Sequence, residues 1–286
     1  MSGRKRRLAE LEGMTESSAD AELIRHIEKL RRRIMKGPGS ALSPRTDPTP
    51  EESWELHLRG LTLSLAPRFA PASIDSILDI FVDRIHRRCP GFGPAENQRI
   101  LDIGANEGFY SLAMCVGRPD MRVVSLEPDT RNYQLLRRNI ALNFPRRIET
   151  YRLALWDQSV ELELSTHPWV NTISSVAIEN LDQSWVDPRV LERQRVPALS
   201  LDELARSLDL ADLDLIKIDV EGAEAEVLRG GRELLSRTRR VVVEVHGGAS
   251  RRRCTSILRD LGFVLKLEEA GRFGDLYFRR RRGGMD

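Results

Sequence analysis

From Arg99 onward, short apolar runs alternate with amphipathic stretches, and this alternation constrains the fold more than any other feature. RILDIG, MRVVSLE, IETYRLAL, LDLIKIDV and RRVVVEVH read as strands, while GFYSLAMCV, TRNYQLLRRNIALN, AEAEVLRGGRELL and SRRRCTSILRDLG read as helices. Strands that alternate with helices imply βαβ units and a mainly parallel sheet. FVLKLEE and GDLYFRR close the chain with no room for a helix between them, so they should pair as an antiparallel hairpin.

One section breaks the pattern. Between Trp156 and Leu199 only VELELS alternates like a strand, and the rest, with Trp169 and Trp185, reads as irregular. Long loops in compact domains are often lids or binding surfaces. This one follows the third strand, so it emerges at the carboxyl end of the sheet, where ligands of open α/β sheets sit. Upstream, SIDSILDIFVDRIHRRCPG predicts a helix capped by Ser73, with Ile74, Ile77, Leu78, Phe81 and Ile85 on its apolar face. Residues 1–50 read as an appendage: Leu23, Ile24, Ile27, Leu30 and Ile34 form one helical stripe, and a Pro- and Ser-rich linker follows. That helix is expected to pack on the main domain or a second subunit, with docking to a carrier protein as the alternative. Residues 51–286 then form the main domain, with 98–280 as its core and 156–199 as a substrate-side insertion.

Charge narrows the partners. With 45 basic and 43 acidic residues the net charge is +2, which is no nucleic-acid footprint despite the Arg runs. Cys89, Cys115 and Cys254 are odd in number and lack CxxC spacing, which argues against a disulfide framework or a zinc site. No apolar run approaches the ~20 residues that span a bilayer, and no apolar segment follows the basic N-terminus. The expectation is a cytoplasmic protein that engages neither membrane nor nucleic acid.

The glycine turn Asp102-Ile103-Gly104-Ala105-Asn106-Glu107-Gly108-Phe109 identifies a ligand class by elimination. A dinucleotide fingerprint needs its third glycine where Phe109 stands, and a Walker loop needs Lys after Gly108. What remains is D-x-G-x-N-x-G. Gly104 permits a tight turn, Gly108 a close backbone approach, and Asn106 tolerates left-handed backbone. Asp102 would repel a pyrophosphate but attract a cation. S-adenosylmethionine (SAM), with an ammonium and a sulfonium and no phosphate, fits. Glu127, which ends the second strand 23 residues after Gly104, can accept ribose hydroxyls.

LDIGANEGFYS, SLEPD, LRRNIALN, SLDEL, DLIKIDVEGAEAEVLRGG and VVVEVHG together resemble the FkbM family of SAM-dependent methyltransferases, over roughly Gln98 to Arg280. The resemblance implies a seven-stranded, doubly wound class I methyltransferase fold and methyl transfer, typically to an oxygen of a sugar or natural product. It implies that Asp102, Gly104, Ala105, Asn106, Gly108 and Phe109 surround the methionine part of SAM. Glu127 and Pro128 would lie at the ribose, and Ala154 and Leu155, ending the third strand, near the adenine.

KIDVEGAE is the second concentrated feature. Lys217, Asp219 and Glu221 alternate along a strand, and Glu224 enters the next helix, where a carboxylate near the N-terminus gains about 0.3–1 kcal/mol from the dipole. Glu221 and Glu224 are therefore also readable as caps. A hydroxyl acceptor must lose a proton, and Asp219, Glu221 and His246 are the candidate bases, with Lys217 a further member of the catalytic cluster. His26, His57, His86 and His167 get less weight, only His167 lying in the insertion. A divalent cation such as Mg²⁺ on Asp219, Glu221, Glu244 and His246 is the minority reading, and no residue is assigned to metal. The leading function is O-methylation of a small molecule, glycan or carrier-bound intermediate. N-methylation of a peptide or protein, RNA methylation, and a non-catalytic module that keeps the fold are the alternatives.

Overall fold

The computed structural model describes residues 54–58, 60–66, 70–168, 170–172, 174–177, 187–271 and 273–281. The expected N-terminal helix, Trp169 and Trp185 lie outside the described residues. The first elements are a hairpin that the sequence reading did not resolve, β1 (Trp54–Leu58) and β2 (Leu61–Leu65). Leu56, Leu58, Leu61, Leu63 and Leu65 are all buried. Helix α1 (Ala70–Ile77) passes into a π-turn at Leu78–Val82 and buries Ile74, Ile77 and Phe81. Ser73 is not its cap: it lies inside the helix, and its hydroxyl donates to Glu107 Oε1 at 2.8 Å.

The main sheet begins with β3 (Arg99–Ile103), α2 (Phe109–Cys115), β4 (Arg122–Leu126), α3 (Thr130–Asn143) and β5 (Ile148–Tyr151). Asp129 caps α3, accepting from Arg131 N and Asn132 N. IETYRLAL does not form one strand. After β5 the chain leaves the sheet, and Ala154–Trp156 becomes β6 of a second, four-stranded sheet with β7 (Val160–Thr166), β8 (Ser174–Ser175) and β9 (Glu192–Ser200), in the order β6-β9-β7-β8. Among its described residues, the insertion thus contributes strands that the sequence reading did not resolve. Pro197 disguises β9 in the sequence, since proline cannot donate to a ladder. It sits just before the residues that pair with β6, which begin at Ala198.

Ser200 and Glu203 then form a capping box that starts α4 (Leu201–Ser207). Next come β10 (Leu215–Ile218), α5 (Glu224–Arg229), α6 (Arg232–Ser236), β11 (Arg240–His246), α7 (Gly248–Asp260), β12 (Phe263–Glu268) and β13 (Phe273–Arg280). The seven-stranded order is β12-β13-β11-β10-β3-β4-β5. Pairings from β11 to β5 are parallel, while β13 runs antiparallel to both β11 and β12. The sheet is thus mixed rather than mainly parallel, because the terminal hairpin is too short for a crossover helix. The central strands are buried on both faces: Ile100, Val123 and Val242 pack toward α1, α2 and the β1–β2 hairpin, and Leu101, Ile103 and Val243 toward α4–α7. Among the described residues, no helix is long and apolar enough to cross a membrane.

Two asparagines four residues apart on α3 dock the hairpin. Asn143 Oδ1 accepts from Thr62 N at 2.8 Å and its Nδ2 donates to Thr62 O at 2.7 Å. Asn139 Oδ1 accepts from Ser64 N at 2.6 Å, and its Nδ2 donates to Glu107 O at 2.9 Å. The helix thereby satisfies backbone groups of β2, and it joins the hairpin to the glycine turn. Asn139→Ala would strand two buried backbone groups at about 1–3 kcal/mol each. We expect a loss of roughly 2–4 kcal/mol in urea unfolding, with a smaller loss for the less buried Asn143→Ala.

Candidate active site

The carboxyl ends of β3, β4, β10 and β11 open onto a cavity of about 630 Å³. Its floor is the glycine turn, in which Gly104, Asn106 and Gly108 all take left-handed backbone, with φ of 76°, 49° and 88°. Asn106 is in the conformation its residue type tolerates best. Gly104 makes the tight turn read in the sequence, and both glycines carry a further constraint. A Cβ on Gly104 would sit 1.7 Å from Asp219 O, and one on Gly108 would sit 2.6 Å from Leu136 Cδ1. Both glycines serve close packing between elements, and Gly108 does not line the cavity.

Asp102 is also displaced from its expected role. It is fully buried, accepts from Ser111 Oγ at 2.6 Å, and faces Lys217 Nζ at 3.2 Å. Asp102 and Lys217 are register partners on β3 and β10. Lys217 is 3% exposed; its ammonium donates to Gly104 O at 2.6 Å and lies 3.4 Å from Asp219 Oδ2. Burial opposes its charge, but Asp102 and Asp219 outweigh burial and raise its pKa above the ordinary lysine value. Lys217 itself lines the cavity, and of its two carboxylate partners Asp219 lines it and Asp102 does not. Burial alone would raise the Asp219 carboxyl, yet Lys217, His86 and His246 hold it below its usual value.

Glu127 lines the cavity one strand away. Its Oε2 accepts from Asn106 N at 2.8 Å and its Oε1 from Asp129 N at 2.9 Å. Burial, then Asp129, push its carboxyl up to about 8. Each oxygen keeps a further acceptor position. Ala105, Phe109 and Pro128 also line this region. Ala154 and Leu155 do so too, from β6 rather than from the end of the third strand, and with Leu164 and Val176 they make an apolar end. The insertion reaches the turn through Asn171, whose Nδ2 donates to Glu107 Oε1 at 2.9 Å and whose carbonyl accepts from Asn132 Nδ2 at 2.8 Å.

Asp219, Glu221 and Glu244 line the same cavity. Glu221, on left-handed backbone, lies 3.2 Å from His246 Nε2, and burial pushes its carboxyl up to about 8. His246 does not line the cavity; Glu224 Oε1 holds its Nδ1 at 2.8 Å, and Ser250 and Gly222 N also bond Glu224. Burial opposes the His246 charge, but Glu221 and Glu224 raise its pKa well above the ordinary value. His246 is thus a clamped counter-ion, and Glu224 a buried structural acid.

Two residues on this wall carried little weight in the sequence. His86 lines the cavity on left-handed backbone, with Nδ1 2.8 Å from Asp275 Oδ1. Asp275 is 189 residues away, so no local pattern announces the pair. Glu107 is 1% exposed, and burial pushes it up to about 8. Lys217→Met would leave Asp102 charged and unpaired, which costs about 3–5 kcal/mol. Urea unfolding should show that loss, and adding Asp102→Asn should recover part of it.

Comparison with known proteins agrees with this architecture. The FkbM methyltransferase domain matches residues 102–272, more than half of the chain. AMB antimetabolite synthetase AmbE of Pseudomonas aeruginosa is 28% identical over 226 residues, covering 67% of this chain but only 10% of the synthetase's own length. The 2-O-methyltransferase NoeI of Sinorhizobium fredii is 28% identical over 176 residues, 56% of this chain and 68% of NoeI. Hexuronic acid methyltransferase AglP of Haloferax volcanii is 24% identical over 188 residues, 65% of this chain and 72% of AglP. A solved structure of a methyltransferase FkbM from Methylobacillus flagellatus gives a TM-score of 0.48 at 17% identity, over 72% of this chain and 53% of that one. With its family domain spanning the glycine turn, the insertion and the acid-lined wall, this chain belongs to the FkbM family of methyltransferases.

Proposed function

We propose that the protein transfers a methyl group from SAM to a hydroxyl oxygen of a sugar, natural product or carrier-bound small molecule. The observation that carries this reading is one cavity lined by apolar side chains, by the buried Glu127 carboxyl and by further carboxyl groups. The donor set fits SAM: Ala154, Leu155 and Leu164 suit a purine, Glu127 keeps acceptor positions for a ribose diol, and Asp219 offers a carboxylate to an ammonium. The volume of about 630 Å³ falls within the range of small-molecule sites. SAM supplies an electrophilic methyl on a sulfonium centre.

The chain's own contribution is alignment, proton management and a favourable field. Holding an acceptor in line can account for up to roughly 7–11 kcal/mol of barrier. Glu221 and Glu244 line the same cavity, where carboxylates favour removal of a proton from a hydroxyl. A sugar-type acceptor is supported by two relatives, named as a 2-O-methyltransferase and a hexuronic acid methyltransferase.

Calorimetry should show SAM binding to the wild-type protein. Glu127→Gln should weaken it about 2- to 10-fold, the worth of one neutral hydrogen bond. Absence of SAM binding to the wild type would remove the cofactor reading. Incubation with SAM and a panel of methyl hexopyranosides, methyl hexuronosides and primary amines, read by mass spectrometry, separates the acceptor classes. A methyl gain on a hydroxyl probe is the expected result, and a gain confined to amines would overturn the O-methyl reading.

A further inference from the structure

We propose that Asp219, Glu221 and His246 form a binding site for a divalent transition-metal ion, with the ion's open coordination positions on the cavity side. Asp219 and Glu221 each offer a carboxylate oxygen and His246 a ring nitrogen, and these atoms all lie within 4.8 Å of one another. Metal–nitrogen and metal–oxygen bonds of about 2.0–2.2 Å place neighbouring ligands about 2.9–3.4 Å apart and opposite ones no more than about 4.4 Å. His246 Nε2 and Glu221 Oε2, at 3.2 Å, already have the spacing of neighbouring ligands. A small inward movement then closes the set.

The ring is supported as a ligand would be. His246 is 7% exposed, and its Nδ1 lies 2.8 Å from Glu224 Oε1. Glu224 is fully buried; the same Oε1 accepts from Gly222 N at 2.7 Å, and Oε2 accepts from Ser250 Oγ at 2.7 Å. A carboxylate so fixed accepts the Nδ1 proton. The lone pair of the neutral ring is then on Nε2, the nitrogen that faces Glu221. Carboxylates placed in this way fix the tautomer and orientation of metal-bound histidines. The turn that carries Glu221 is held as well, since Ser175 of β8 donates to Glu221 O at 2.5 Å.

The local charge favours a further cation. Asp102, Asp219, Glu221, Glu224, Glu244 and Asp275 share only Lys217, His86 and His246 among the described ion pairs of this wall. Six carboxyl groups thus meet three side chains able to carry positive charge. Buried charges are paired or coordinate metals. Lys217 and His86 both approach Asp219 at Oδ2, which leaves Oδ1 to an ion.

Glu244, the fourth residue of the sequence reading, groups with His86 and Asp275 instead. That group is the poorer site, because Asp275 already spends Oδ1 on His86 Nδ1 and Oδ2 on His86 N and Tyr277 Oη. One imidazole with two carboxylates suits Mn²⁺, Fe²⁺ or Zn²⁺ better than Mg²⁺, which favours oxygen ligands. Three protein ligands leave positions for water or a substrate oxygen. Asp219 and Glu221 line the cavity and His246 does not, so those positions fall on the cavity side. The role of the ion rests on the hydroxyl-acceptor reading above: a hydroxyl bound to it is held in place and made more acidic.

Titration of the full chain with Mn²⁺, after treatment with EDTA and dialysis, tests the site without SAM or an acceptor. Calorimetry should show binding tighter than about 1 mM. Spin-echo modulation of the bound Mn²⁺ should show a coupled imidazole nitrogen that is absent in His246→Gln. Glu221→Gln and Asp219→Asn, which keep the test independent of whether His246→Gln folds, should each weaken binding at least about 100-fold, the upper end of what losing a ligand's hydrogen-bond support costs. Glu244→Gln should weaken it less than about tenfold. Zn²⁺ should displace the Mn²⁺, and equimolar Mg²⁺ should not. No binding below 1 mM, a bound ion without a coupled nitrogen, or an effect of Glu244→Gln as large as that of Glu221→Gln would overturn the site. On a hydroxyl probe that the wild type methylates, EDTA should lower kcat about 100-fold and Mn²⁺ restore it. Unchanged turnover after full chelation would overturn the role in transfer. Absence of SAM binding to the wild type strikes the cofactor reading and leaves Mn²⁺ binding as it is.

Discussion

Lys217 carries a positive charge into the centre of a sheet that is buried on both faces, and the site is organised around that charge. An ammonium with 3% exposure must be paired and hydrogen-bonded. Asp102 on the neighbouring strand, Asp219 at the end of its own strand and the carbonyl of Gly104 do this together. The ammonium thereby ties the glycine turn to β3 and β10. It also explains why Gly104 cannot carry a side chain: the turn is drawn so close to the end of β10 that a Cβ would overlap Asp219 O. Ser111, at the start of α2, completes the arrangement by donating to the far oxygen of Asp102.

Outward from Lys217 the charges form a graded series. Asp219 is kept below the usual carboxylate range by the surrounding cations, whereas Glu221 and Glu244 are pushed up to about 8 and 7. His86 and His246 interleave with these acids, each held from behind by a buried carboxylate, Asp275 for one and Glu224 for the other. Two imidazoles fixed in this way keep three acids in one wall of the cavity without collapse into direct ion pairs throughout. The same cavity also has an apolar lining, supplied by β6 and β7 of the second sheet. One pocket thus offers a hydrophobic slot and a proton-accepting wall.

Much of this was legible in the residues. The strands RILDI, RVVSL, LIKI and RVVVEVH stand where their apolar runs place them, and the closing hairpin forms because its loop is too short for anything else. The glycine turn and Glu127 were readable because backbone conformation and strand-end position are local properties. Other features carried signals that local reading misassigned. The leucines of β1 and β2 alternate around Gly60, yet nothing nearby shows that Asn139 and Asn143 receive β2. β9 was read as part of the irregular insertion, although its nine residues pair with both β6 and β7. Ser73 looked like a helix cap because capping residues and buried hydrogen-bond donors are the same residue types.

The sequence by itself determined the alternating α/β order, the turn that ends β3 and the acids that end β4 and β10. These follow from periodicity and from the few residue types that tolerate left-handed backbone. Only the tertiary structure decided which charge meets which. Asp102 faces Lys217 instead of a ligand, His246 turns to Glu224, and His86 enters the cavity because Asp275, 189 residues later, holds it there. The physical reason is that a buried charge selects its partner by register and burial across elements, and neither of those is written in the spacing of residues along the chain.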